Sequence, residues 1–417
     1  MFFSQTVPAV RYAAIALAMI HRKYLDHDSS VGVHRSQSLK DWSPDKAPLR
    51  HYNHAIQLLL NQEGGDNTEI TAITLLVCYL FICFDYLAGN YVQAVKHLRG
   101  GVGLSRNIDK AILNNSSTYD DARLSGIGTL ICQITRQICR LDMQAVTFLV
   151  DWTPAGIQET FTSQLPSSGN TFWSLDQAAD HLQILVARVM RLRNTEQQMC
   201  PMGEMPPSSL SLKNIILAQL ETWLSFFETM LQQGSSYEND LETHRLASLL
   251  RLQHTIAWTL VSSYGPGREM AYDDYLPKFQ QCLVLAGDIV AHEQCSEWLQ
   301  PTFTPEVGIV PVLYIIGVKC RHPIVRRQVL NILRRQTIRE AVWNSIFAAR
   351  VVERVIEIEE GELEEAGLTQ GMERIPVWQR IETLSWVHVV SGQSAPRLDI
   401  TYTFCMREGT YTESLRV

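Results

Sequence analysis

The sequence predicts an all-α protein, a large irregular bundle of αα-hairpins that ends in a short C-terminal β-hairpin. Three observations carry this. Ile70 to Phe84, ITAITLLVCYLFICF, runs fifteen residues without a charge, and a helix apolar on every side must be surrounded by other elements. Apolar residues then recur about one helical turn apart through most of the chain as far as Glu360. After Pro396 the period falls to two, with Leu398, Ile400, Tyr402, Phe404 and Met406 alternating against polar neighbours.

Composition sets the outer bounds. Apolar residues make up 46% and charged ones 19% of 417 residues, enough to bury a large core without disulfides or metals. A net charge of −7 argues against broad, nonspecific nucleic-acid binding. The nine cysteines are scattered through apolar helical text, which reads as free thiols in a reducing compartment. MFFSQTVPAVRYAAIALAMIHRKY lacks the positive n-region of a signal peptide, and Arg11 interrupts its apolar core. The chain therefore reads as intracellular, although it enters a core helix within ten residues, as though a segment preceded it.

In chain order, Val10, Ala14, Leu17 and Ile20 mark the first helix face, and Asp26 to Lys46 is a polar loop. LRHYNHAIQLLL places Tyr52, Ile56 and Leu59 on one face. Asp85 and Tyr86 end the apolar run, Ala88-Gly89-Asn90 turns, and Val92, Val95 and Leu98 start an amphipathic second arm. Asp120 to Val150, Thr171 to Met199, Leu210 to Gln233, Leu241 to Tyr264 and Tyr272 to Leu299 are further helices. Cys200 to Ser209, with three prolines, is the most linker-like stretch. Val307 to Lys319 tolerates Pro311 near its start, Pro323 opens another helix at its N1 position, and Glu340 to Glu360 forms a long one. Residues 1–390 are thus expected as one contiguous helical domain, and 391–417 as a hairpin tail packed on it, turning at Arg407-Glu408-Gly409-Thr410.

The search for chemistry is mostly negative. Gly100, Gly101 and Gly103 follow helical text and read as a C-terminal cap, and no nucleotide-binding or nucleophile-elbow motif is completed. His292 and Cys295 are one turn apart without a second ligand pair. Cys132 and Cys139 match one spacing of a binuclear zinc cluster, but no C-x-x-C occurs anywhere. No catalytic, cofactor, metal or DNA-binding residue is assigned. The sequons at Asn114 and Asn115 read as coincidental. The one electrostatic feature runs from Lys319 to Arg339, with seven basic residues (Lys319, Arg321, Arg326, Arg327, Arg334, Arg335 and Arg339) and no acidic one. Glu353 to Glu365 follows with seven glutamates against Arg354. Opposite runs in neighbouring helices are expected to neutralise each other rather than to form a phosphate-binding surface.

The stretch from Gly308 to Glu362 also carries a resemblance. Pro311-x-Leu313-Tyr314, Cys320-Arg321-x-Pro323 with Arg326-Arg327, Arg339-Glu340-x-x-Trp343 and Glu357-x-Glu359 closely resemble the C-terminal part of the fungal-specific transcription factor domain. HYNHAIQLLL, FDYLAGNYVQAVKHLRGGVGL and PAVRYAAIALAMIHRKY look like its N-terminal part. The resemblance implies a nuclear, non-enzymatic regulatory region that acts through other transcription regulators, coactivators or an effector, with a dimer among the expected states. Its relatives carry a six-cysteine zinc cluster for DNA, which this sequence lacks. Zinc is expected only in such a domain, and no direct, specific DNA binding or membrane contact is expected of this chain alone. Two readings compete. A tetratricopeptide-like scaffold is suggested by AGNYVQAVKHLRGG but needs a 34-residue period that is not seen. An enzyme needs a convergent polar cluster that the motifs do not supply.

Overall fold

The computed structural model describes residues 2–29, 46–61, 67–108, 122–155, 171–199, 207–233, 241–265, 268–292, 301–365, 375–389 and 397–416. Thirteen α-helices and six short strands lie among these residues. The chain divides into two compact units, Met1–Leu165 with Gln300–Glu306, and Pro166–Leu299 with Val307–Val417. The sequence reading expected a single helical body to residue 390.

The first unit is built on the apolar run. Helices α1 (Phe2–Thr6), α2 (Pro8–Ser29), α3 (Lys46–Leu60), α4 (Asn67–Ala88), α5 (Tyr91–Arg106) and α6 (Ala122–Gln144) precede a short strand, β1 (Thr302–Thr304). α2, α3, α5 and α6 all pack on α4. Ala72, Leu75, Val77 and Ile82 are fully buried on it, and they point in several directions round the axis. By length and composition Thr68–Ala88 is apolar enough to cross a membrane, yet 67% of its most apolar window is buried inside the protein. The hairpin forms as the sequence suggests. Gly89 takes φ 73°, a left-handed conformation that glycine adopts without steric cost, and Asn90 N–H closes on Asp85 O at 2.8 Å.

The second arm differs from expectation in two respects. Val92 is 68% exposed, and the inward face of α5 is instead Ala94, Leu98, Gly101, Val102 and Ser105. The glycines do not cap the helix, which continues to Arg106. A Cβ at Gly101 would lie 3.2 Å from both Cys78 Sγ and Ile138 Cδ1, so the absent side chain is what brings α5 close to α4 and α6.

The second unit contains α7 (Leu175–Met199), α8 (Pro207–Gln233), α9 (Leu241–Ser262), α10 (Leu276–His292), α11 (Val310–Lys319), α12 (Pro323–Arg335) and α13 (Ser345–Glu365). One continuous core runs through them. Trp223 stacks on Phe227 and His254 at 4.7 and 5.2 Å, with its indole N–H donating to Ala178 O at 2.9 Å. The helix expected from Tyr272 begins as a 3₁₀ stretch, Arg268–Tyr275, before α10. The helix expected from Glu340 starts only at Ser345. Ahead of it β2 (Ile338–Glu340) and β3 (Trp343–Asn344) pair as a tight antiparallel hairpin. Asn344 Oδ1 then accepts the N–H groups of Ile346 and Phe347, the side-chain cap that sets the true helix start.

The C-terminal end is a three-stranded antiparallel sheet ordered β4 (Ile381–Val389), β5 (Arg397–Phe404), β6 (Tyr411–Arg416). β5 alternates as expected, with Leu398, Ile400, Tyr402 and Phe404 buried. β4 lies within residues 1–390, the part expected as a helical domain, and the sequence reading placed no strand there. A register shift lies between Ile381 and Thr383, and the outward Val387, 63% exposed, puts an apolar residue on the solvent face and blurs the alternation. Residues 30–45, 109–121 with the two sequons, 156–170 and 200–206 lie outside the described residues, as do Cys295 and the side chain of His292.

Candidate functional site

The most concentrated chemistry in the second unit is an ion network at the corner between α11 and α12. Its local cause is proline. His322, held extended at ψ 119° as residues before proline are, leads into Pro323 at the first position of α12. Cys320 is extended too, so the chain turns sharply between the two helices and carries Arg321 and Arg326 inward.

Two buried carboxylates meet these cations. Glu359, on α13, is 0% exposed. It accepts from Arg321 Nη2 at 2.9 Å, from Arg326 Nη2, and from the Ile381 N–H at 2.8 Å at the start of β4. Glu269, on the 3₁₀ stretch, accepts from Lys319 Nζ at 2.6 Å and Arg321 Nη1 at 2.7 Å. Main-chain carbonyls take further donors. Arg321 Nη2 reaches Ile381 O at 3.2 Å, Arg326 Nε reaches Cys320 O at 2.8 Å, and Lys319 Nζ reaches Glu382 O at 3.2 Å. Further out, Glu360 pairs with Arg327 at 2.6 Å and Glu353 with Arg334 at 2.6 Å. Beside the network Arg380, 0% exposed, holds Asp273 through two contacts of 2.9 and 2.7 Å.

Electrostatically the network is closed. Burial alone would raise the pKa of Glu359, but Arg321 and Arg326 outweigh it and hold the carboxyl at about 2. Burial also opposes ionisation of Glu269, and Lys319 and Arg321 reverse that. Each carboxylate is engaged by two cations, so the arrangement holds the 3₁₀ stretch, the α11–α12 corner, α13 and β4 in one geometry. It fastens elements together rather than presenting charge outward.

A third carboxylate performs a related task nearby. Glu340 accepts the N–H groups of Gly308, Ile309 and Val310 at 2.9, 2.8 and 2.9 Å, satisfying the orphan donors at the start of α11. A Cβ on Gly308 would come within 2.4 Å of Glu340 Oε1.

The basic run is therefore largely spent inside the molecule, as the opposite runs suggested. Lys319, Arg321, Arg326 and Arg339 are buried, Arg327 and Arg334 are half-exposed but paired, and Arg335 is exposed. Sequence reasoning missed Glu269, Glu340 as a cap, and the Asp273–Arg380 pair. Glu269, Asp273 and Arg380 belong to no motif, the motif that holds Glu340 does not mark it as a cap, and each contact joins positions 30 or more apart. Among the described residues Cys78, Cys83, Cys282, Cys320 and Cys405 are free thiols. Burial pushes the Cys83 and Cys282 thiols up to about 12, away from reactive thiolate. No group of three His, Cys, Asp or Glu suited to a metal occurs among the described residues.

The molecule so defined is a mostly helical one with a small antiparallel sheet, and its distant similarity is to a fungal transcription regulator. That relative is the aspercryptin biosynthesis cluster-specific transcription regulator atnN of Emericella nidulans. Identity is 21% over 462 aligned positions, covering 89% of this chain and 72% of that protein. No protein-family model matches the chain, and no solved structure does.

Proposed function

We propose that this chain is a transcription regulator of the nucleus. In this reading it is the helical regulatory region found in fungal zinc-cluster transcription factors, and it works through protein partners or an effector rather than by reading DNA itself. The observation that carries the reading is the similarity to a fungal transcription regulator along 89% of the chain. Two features support it. The motifs shared with the fungal-specific transcription factor domain coincide with the ion network, since Arg321, Arg326 and Glu359 are among its buried members. The basic run is engaged by Glu269, Glu353, Glu359 and Glu360 rather than left open to phosphate.

Sequence readout in DNA needs an element that enters a groove and cations free to contact phosphate. α12, the basic helix, turns Val325, Val329 and Leu333 into the core and pairs Arg326, Arg327 and Arg334 internally. No two of the nine cysteines are closer than five positions, so this sequence holds no six-thiolate cluster. The expected outcome is DNA affinity that is weak, insensitive to sequence and abolished by moderate salt. Fusion of the full chain to a heterologous DNA-binding domain is expected to change transcription from a reporter bearing that domain's site. Elemental analysis finding two zinc ions per purified chain, tight binding that survives scrambled competitor DNA, or a reporter indifferent to the fusion would each overturn the proposal.

A further inference from the structure

A second polar cluster lies in the first unit, apart from the ion network. Tyr52 on α3, Asp85 on α4 and His97 on α5 meet there. Tyr52 Oη is 2.6 Å from His97 Nε2 and 3.3 Å from Asp85 Oδ2, and the imidazole and carboxyl are 3.6 Å apart. Asp85 is 2% exposed on the most apolar helix of the chain, whereas the His97 side chain keeps 26% of its surface. The Tyr52 ring is clamped between Phe81 and Phe84 of α4, with centroids at 4.0 and 5.0 Å.

We infer that Tyr52, Asp85 and His97 form a proton-operated clasp between α3 and the α4–α5 hairpin, in which carboxyl and imidazole hold one proton between them through the tyrosine hydroxyl. In the proton-bound form Asp85 O–H donates to Tyr52 Oη, Tyr52 O–H donates to His97 Nε2, and the imidazole proton sits on Nδ1. When the proton leaves to solvent the chain of bonds reverses. His97 exchanges its Nδ1 proton for one on Nε2 through its exposed edge and donates to Tyr52, which donates to the Asp85 carboxylate. The buried site then carries a full negative charge, and the hold on α3 weakens.

The surroundings leave the cluster to itself. Of the elements packed on α4, α3 presents Tyr52 and α5 presents His97 to Asp85. α2 contributes Tyr12, whose ring lies against His51 and His54 of α3. α6 contributes Arg140, which acts with Glu306 on Tyr79. On α4 itself Cys78 donates to His97 O at 3.0 Å. Among the described residues no lysine or arginine pairs with Asp85. Burial accordingly raises its pKa from 3.8 to about 7, while burial lowers that of His97 below 6.5.

Folding then moves a proton from histidine to aspartate, and the signs oppose. The raised Asp85 pKa contributes stability that is lost as pH rises from 3.8 through 7. The lowered His97 pKa contributes stability that is lost as pH falls below 6.5. The two oppose each other below pH 6.5, and above it only the loss from Asp85 remains. Single variants of the full chain separate them, read by amide hydrogen exchange of residues 46–60 between pH 5 and 7, corrected for intrinsic rates. His97→Gln is expected to open α3 at least about tenfold more at pH 7 than at pH 5, and Asp85→Asn to open it more at pH 5 than at pH 7. In the unsubstituted chain labelled with ¹³C-aspartate, the Asp85 carboxyl is expected to titrate near pH 7. Slopes of the same sign in the two variants, slopes that are flat in both, or an Asp85 carboxyl already ionised at pH 5 would overturn the inference.

Discussion

Replacing Glu359 by Gln tests whether the ion network fastens the second unit. The side chain keeps its shape and loses its charge at a position 0% exposed, leaving Arg321 with Glu269, and Arg326 with Glu360 at 3.4 Å and a backbone carbonyl. Two routes give the magnitude. Breaking one member of a buried pair costs about 3–5 kcal/mol, because the partner stays buried and short of its counter-charge. Independently, holding the carboxyl at about 2 against its ordinary 4.5 corresponds to about 3 kcal/mol. The depressed pKa means this stability is present above pH 4.5 and is lost as pH falls toward 2. The assay is urea denaturation of both proteins at pH 7 and at pH 3. A loss of about 3 kcal/mol is expected at pH 7, about 10 °C in melting temperature for a unit of this size, and the gap narrows at pH 3. Glu360→Gln is the control. That side chain is 20% exposed, so its loss is expected to cost about 1 kcal/mol. Equal effects of the two variants, or a gap unchanged between pH 7 and pH 3, would refute the reasoning.

Two further outcomes follow from burial and close approach. Leu75→Asp places an unpaired charge at a fully buried position of α4 and is expected to abolish soluble expression, whereas Leu76→Asp, at a half-buried position, is milder; equal soluble yields would contradict the central placing of α4. Gly308→Ala sets a Cβ 2.4 Å from Glu340 Oε1 and displaces the carboxylate from three N–H groups. It is expected to cost about 1–3 kcal/mol, and a Glu340→Gln variant that loses far less than this would show that the cap contributes little.

What the sequence by itself determined is what period and punctuation encode. The uncharged run to Phe84 demanded a surrounded helix, and α2, α3, α5 and α6 supply its neighbours. Gly89 and Pro323 marked a hairpin and a helix start because each restricts the backbone locally. The facing charge runs were legible as partners, since Arg326, Arg327 and Arg334 are near in sequence to Glu353, Glu359 and Glu360 and carry the opposite sign. The mostly helical fold with a small terminal sheet followed from the same periodicities. Tertiary structure decided the rest. Glu269 sits 50 positions from Lys319 and Asp273 more than 100 from Arg380, and no local pattern marks a glutamate on a 3₁₀ stretch as the counter-charge of a distant corner. β4 stayed hidden because Val387 puts an apolar residue on its solvent face, and Glu340 read as helix because its partners at the start of α11 lie 30 or more positions away. Val92 faces solvent although it sits in an apolar pattern, because the small residues Ala94 and Gly101 set which side of α5 can approach α4. Side-chain period fixes a helix's faces, but only packing selects the face that is buried, and only the folded chain brings distant charges close enough to neutralise one another.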